Sequence, residues 1–100
     1  MLSKIPFDLT RIEEEDLDKQ ILRIAIIAEL DAINLYEQLA ALTEDENLKA
    51  VFLDIAREEK THVGEFLTML LMKDEEQEEE LEAGEEEVEE ILEGEEEEKE

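Results

Sequence analysis

The chain has 100 residues, of which 34 are acidic and nine basic, and it contains no cysteine. Its length points to one small domain, and a net charge of −25 repels nucleic-acid phosphates while favouring cationic partners, metal ions among them. Without cysteine there are no disulfides, thiolate zinc sites, iron–sulfur clusters or cysteine nucleophiles.

Residues 1–12 form a lead-in. Met1–Thr10 is short and mixed, contains Pro6 and does not resemble a signal peptide. No run approaches the roughly 18 apolar residues of a membrane span, so no membrane partner is expected. Gly-rich phosphate loops and Asp-rich calcium loops are also absent.

Thr10-Arg11-Ile12-Glu13 matches a capping box and predicts a helix start, with Glu13–Asp16 placing negative charge on its first turn. From Leu17 the apolar positions run 17, 21, 24, 28, 35, 39 and 42, which predicts one long amphipathic helix. A flanking row, Leu22, Ile26, Glu29, Ile33, Tyr36 and Ala40, widens the stripe to the breadth of a bundle helix. Thr43-Glu44-Asp45-Glu46 reads as a second capping box. The next helix then carries Leu48, Phe52, Ile55, Glu59, His62, Phe66 and Met69 at helical spacing and ends near Met72 or Lys73. A connection this short makes the two helices antiparallel neighbours. Residues 13–73 are thus expected to form an all-α, two-helix hairpin.

Residues 74–100 differ in kind. From 73 onward the chain has 18 acidic and two basic side chains, and its apolar residues are Leu81, Ala83, Val88, Ile91 and Leu92. Such a segment buries too little surface to offset its ordering entropy and reads as a disordered acidic tail or linker.

Glu29, Glu59 and His62 fall on seams where water should be scarce, and an unpaired charge there costs several kcal/mol. Glu59 and His62 are three residues apart and share a helix face. Counted from Thr43, Glu29 lies 14 residues back and Glu59 16 forward, so a hairpin brings them to one height. Two hairpins would place Glu29 on two helices and Glu59/His62 on two others, the ligand set of di-iron carboxylate bundles. Four carboxylates balance two divalent ions, and the donors suit iron or manganese, although donor type alone does not select the metal. The plainer reading is a core histidine with glutamates paired to Arg23, Arg57 or Lys60. Tyr36, two turns from Glu29, is either a donor to the site or an ordinary bundle aromatic. Glu58 and Glu65 flank His62 as imidazole acceptors or as a solvated face. Gly64 costs about 1 kcal/mol in mid-helix and suggests close approach of a neighbouring helix.

Ala28-Glu29-Leu30-Asp31-Ala32-Ile33-Asn34-Leu35-Tyr36 followed by Arg57-Glu58-Glu59-Lys60-Thr61-His62 resembles the encapsulated ferritins, two-helix ferritin-like proteins of encapsulin nanocompartments. The resemblance implies a hairpin that completes a ferritin-like four-helix arrangement by dimerisation. It implies a ferroxidase that oxidises Fe(II) with O2 and passes Fe(III) to mineral. Two iron ions per dimer interface are expected, with manganese, zinc and calcium as substitutes. Glu29, Glu59 and His62 match the family's iron ligands, Tyr36 its tyrosine near the centre, and Asp31 an acidic position associated with metal entry. Ala28 and Leu35 depart from the acidic and tryptophan residues of some members. The implied assembly is a ring of homodimers, a decamer, beside or fused to the encapsulin shell protein, in a cytoplasmic compartment. Members that travel as separate cargo end in a docking peptide, which Glu95–Glu100 lacks; in fused members an acidic run serves as a linker. The rival readings are a redox-inert metal-stapled helical oligomer and an acidic adaptor without turnover.

Overall fold

A computed structural model describes residues 12–99 together with Lys4 and Thr10, with side chains described as far as Glu95. Three helices follow one another: α1 (Glu14–Leu42), α2 (Glu46–Lys73) and α3 (Glu75–Lys99), with no strand among the described residues. None of these helices is long and apolar enough to cross a membrane.

α1 begins at Glu14, with Glu13 as its N-cap. The Glu13 carbonyl accepts from the amides of Asp16 (2.9 Å) and Leu17 (3.1 Å), but no side chain caps this end. The box expected at Thr10 is therefore not the helix start, and Arg11 within it lies outside the described residues. The charges of Glu14, Glu15 and Asp16 instead favour the positive end of the helix dipole.

The second start is displaced as well. Thr43 closes α1, its amide bonding the Leu39 carbonyl, and Asp45 opens α2 by accepting from the amides of Asn47 and Leu48. Thr43 Oγ1 accepts from the Asp45 amide at 3.2 Å, which tightens the three-residue connection 43–45. Two short polar side chains thus share the work expected of one, because the turn must end one helix before starting the next.

Cross-helix pairs show the antiparallel hairpin. Asp18 meets Lys73, Glu29 meets His62, Tyr36 stacks on Phe52 and Glu37 meets Lys60. The buried apolar residues are few: Ile33 and Ala40 on α1, Ala56 and Leu70 on α2. On α1 these belong to the flanking row (22, 26, 29, 33, 36, 40), so that row faces α2. The row beginning at Leu17 is covered only in part: Leu17, Ile24, Ala28, Leu35 and Leu39 are half-buried, and Ile21 and Leu42 are exposed. Leu48 and Met69, expected on the α2 seam, are also exposed. A stripe broad enough for a bundle exceeds what one neighbouring helix can cover, and the contact settles where small residues allow close approach.

The tail differs from expectation. Residues 75–99 are helical rather than disordered. Glutamate is a good helix former, and Asp74 supplies an N-cap by accepting from the Gln77 amide at 3.1 Å. The pattern Asp74-Glu75-Glu76-Gln77 was a readable signal for this start. Leu81, Val88, Ile91 and Leu92 remain exposed along α3, so its helical state rests on local propensity more than on burial.

Candidate metal centre

Glu29 stands halfway along α1, and Glu59 and His62 stand one turn apart halfway along α2. Each offers one ligand atom such that all three lie within 4.8 Å of one another. His62 Nδ1 is 3.5 Å from Glu29 Oε2 and 3.4 Å from Glu59 Oε2. These separations are long for hydrogen bonds but suit three donors arranged around a common ion. Among the described residues this is the cluster of three or more such groups that geometry assembles.

Glu29 Oε2 is buried and has no hydrogen-bond partner among the described residues. A buried carboxylate oxygen is normally satisfied, so this atom is short of a cation or a donor. The basic residues that would have made it an ordinary ion pair are engaged elsewhere. Arg23 donates to Asp74 at 2.8 Å, Arg57 to Asp54, and Lys60 lies 3.4 Å from Glu37. The Arg57 hydrogen bond, reinforced by its charge, holds the Asp54 carboxyl below the usual range. The plainer reading of paired core glutamates is therefore unsupported within the chain.

The residues present fit a divalent ion: two carboxylates and an imidazole are hard and borderline donors, with no soft sulfur. Burial grades across the cluster. The side chains of Glu29 and Glu59 are 18% and 20% exposed, against 43% for His62. One chain thus provides three donors and an open side.

Tyr36 stacks on Phe52 with ring centroids 6.1 Å apart and an interplanar angle of 24°. Its ring serves the hairpin contact. Asp31 is half-buried and lies outside the three-residue cluster. Glu58 and Glu65 are exposed, and the carboxylates nearest the imidazole are Glu29 and Glu59. A β-carbon on Gly64 would meet nothing within 4 Å, so the close neighbour suggested by that glycine is not α1. Sequence reasoning missed the Arg23–Asp74 pair, because Asp74 was assigned to a structureless tail.

Comparison with known proteins follows the same lines. The EncFtn-like family model matches residues 7–85. The ferritin-like–encapsulin shell fusion protein of Pyrococcus furiosus is 65% identical over 65 residues, covering 65% of this chain and 19% of that protein. The encapsulin nanocompartment cargo protein EncB of Myxococcus xanthus is 39% identical over 62 residues, covering 61% of this chain and 39% of EncB. The chain thus spans well under half the length of either relative. The crystal structure of the encapsulated ferritin domain from Pyrococcus furiosus superposes with a TM-score of 0.78 at 53% identity, covering 91% of this chain and 95% of that one. On the matched residues, the helical fold and this structural likeness, the chain belongs to the EncFtn-like family, the encapsulated ferritins.

Proposed function

We propose that the protein is a ferroxidase, with Fe(II) as substrate, acting at a site completed by two copies of the chain. The observation that carries this reading is the meeting of Glu29, Glu59 and His62, with a buried Glu29 oxygen that no donor satisfies. Two copies related by symmetry supply four carboxylates and two imidazoles, which matches the charge of two divalent ions. The exposed flank of His62 and the uncovered apolar stripe are where the second copy would pack.

Each residue has a definite part. Glu29 and Glu59 bind the cation and lower the local charge imbalance as it gains a positive charge. His62 offers Nδ1 to the cluster, which requires the imidazole to be neutral and its proton to sit on Nε2. Two Fe(II) held at the paired site would each give up one electron, O2 would take both with two protons from water to form hydrogen peroxide, and the iron would leave as Fe(III). Carboxylates favour the higher charge, so oxidation is assisted by the same groups that bind. Tyr36 and Asp31 are assigned supporting places, at the aromatic contact and on the approach to the site.

Fe(III) would be stored as mineral inside an encapsulin shell in the cytoplasm, with the ferritin-like chains arranged as a ring of dimers, a decamer. The names of the two relatives support the shell partnership, one being a shell fusion and the other a cargo protein. Anaerobic loading with Fe(II) followed by O2 tests the activity, with near-ultraviolet absorbance and protein mass followed together. Rapid O2 consumption and a new ferric absorbance are expected. Tight binding of Fe(II) or Zn(II) without O2 consumption would instead establish a redox-inert metal staple.

A further inference from the structure

Asp74 occupies the one-residue corner between α2 and α3, and three separate interactions converge on it. Its amide donates to the Leu70 carbonyl at 2.9 Å, closing α2. Its Oδ1 accepts from the Gln77 amide at 3.1 Å, opening α3. Its Oδ2 accepts from Arg23 Nη2 of α1 at 2.8 Å, across 51 residues of sequence. The Asp74 side chain is only 11% exposed, whereas that of Arg23 is 47% exposed. Asp74 is the buried charged residue of the described chain. One carboxylate thus joins all three helices.

α3 has little else to hold it, sharing few contacts with α2 and fewer with α1. A hairpin of this length is about 44 Å long and a helix of this length about 37 Å. The molecule nevertheless extends 55 × 45 × 22 Å, so α3 points away from the hairpin rather than folding back along it. An open cleft of about 570 Å³ lies in the elbow, lined by Asp16, Lys19, Gln20, Arg23 and Lys73 among others. Lys19 and Lys73 are drawn to Asp16 and Asp18, at 3.6 and 3.4 Å, which leaves Arg23 as the cation hydrogen-bonded to Asp74.

We propose that Arg23 and Asp74 form a corner latch that sets the direction in which the acidic helix leaves the hairpin. A helix anchored only at its first residue would pivot about the corner. One hydrogen bond from Arg23 Nη2 ties to α1 the same carboxylate that caps the first turn of α3, so that turn is held through Asp74 from two sides. The consequence is that Leu81, Val88, Ile91 and Leu92 are presented at a set position relative to the hairpin. This inference does not depend on the chemistry proposed for Glu29, Glu59 and His62.

The absence of cysteine makes a distance measurement direct. Spin labels are placed at Asn34→Cys on α1 and Glu89→Cys on α3, both exposed positions, in the full chain diluted with unlabelled chain. A second pair, Glu79→Cys with Glu90→Cys, reports the integrity of α3. The parent should give one narrow distance distribution for the first pair. Arg23→Glu places a like charge beside Asp74 while leaving the Asp74 cap intact, and should at least double the width. The pair within α3 should be unchanged in that variant. An unaltered first distribution in Arg23→Glu, or a broad one in the parent, would overturn the latch. Broadening of both pairs would overturn it too, because Asp74 would then act through helix formation and not through direction.

Discussion

At Glu29 a carboxylate oxygen is buried beside an imidazole and a second carboxylate, and no lysine or arginine among the described residues is paired with it. Without metal this arrangement is repulsive, since two partly desolvated carboxylates share a small volume. Glu29→Ala, Glu59→Ala and His62→Ala should each abolish rapid Fe(II) oxidation, because each change removes two ligands from a two-fold site. In the two glutamate variants the metal-free fold should be kept or strengthened, as alanine relieves the repulsion and suits a helix. Thermal melts beside O2 uptake distinguish this from a structural role, for which alanine variants would be destabilised and uptake would stay normal. Asp74 is the converse case, a charge that the fold satisfies. The Gln77 amide, with help from Arg23 and Lys19, holds its carboxyl below the usual range against the opposing effect of burial. A depressed folded pKa means that the unfolded chain binds the proton first as pH falls. Asp74 therefore stabilises the fold above the ordinary carboxylate range, and that stabilisation is lost as pH drops through the folded value. Denaturation of the parent and Asp74→Asn should show a gap that is constant above about pH 5 and closes on acidification. A gap independent of pH would show that the charge of Asp74 adds nothing.

Among the elements, α1 and α2 were legible because helical periodicity and turn chemistry agreed over long runs. Their C-terminal ends fell where expected, while the cap of α1 moved three residues, from Thr10 to Glu13, and that of α2 two, from Thr43 to Asp45. The height of Glu29 against Glu59 followed from counting along an antiparallel pair. The facing rows were less legible. Periodicity shows that a stripe is apolar but not which part of a broad stripe meets the first neighbour, and here the small Ala40 and Ala56 decide it. The acidic tail was misread for a related reason. Its composition cannot support a core, yet a glutamate-rich run with an Asp74 cap needs no core to be helical. Gly64 offers a test on the outer side of α2. Nothing among the described residues lies within 4 Å of a β-carbon there, and Thr68 Oγ1 donates to the Gly64 backbone carbonyl at 2.8 Å, a bond that alanine leaves in place. Gly64→Ala should therefore stabilise the hairpin by about 1 kcal/mol in chemical denaturation. A loss of stability accompanied by smaller assemblies would instead show another subunit seated on that face.

For the molecule as a whole, much apolar surface remains uncovered by the hairpin. Leu30, Leu42, Val51, Leu53 and Met72 are exposed, and the buried apolar residues are Ile33, Ala40, Ala56 and Leu70. Association would cover part of this surface, but it must also bring together chains of net charge −25. Exposed charges more than about 10 Å apart are screened at moderate salt, whereas carboxylates crowded around a shared site are not. The repulsion that matters is therefore local to Glu29 and Glu59, and a bound divalent cation would remove it. Metal and association should accordingly be linked: an ion that binds the assembled site better than the lone hairpin shifts the equilibrium toward assembly. Chelation at low ionic strength should move the population toward smaller species in sedimentation velocity, and Fe(II) added without oxygen should reverse the change. Sodium at the same ionic strength should restore little, because screening cannot satisfy the buried Glu29 oxygen. An assembly indifferent to chelation would mean that apolar packing alone outweighs the repulsion, and the site would then be a passenger on the interface. If Glu29→Ala assembles without metal while the parent does not, the carboxylates are what oppose association and the cation is what overcomes them.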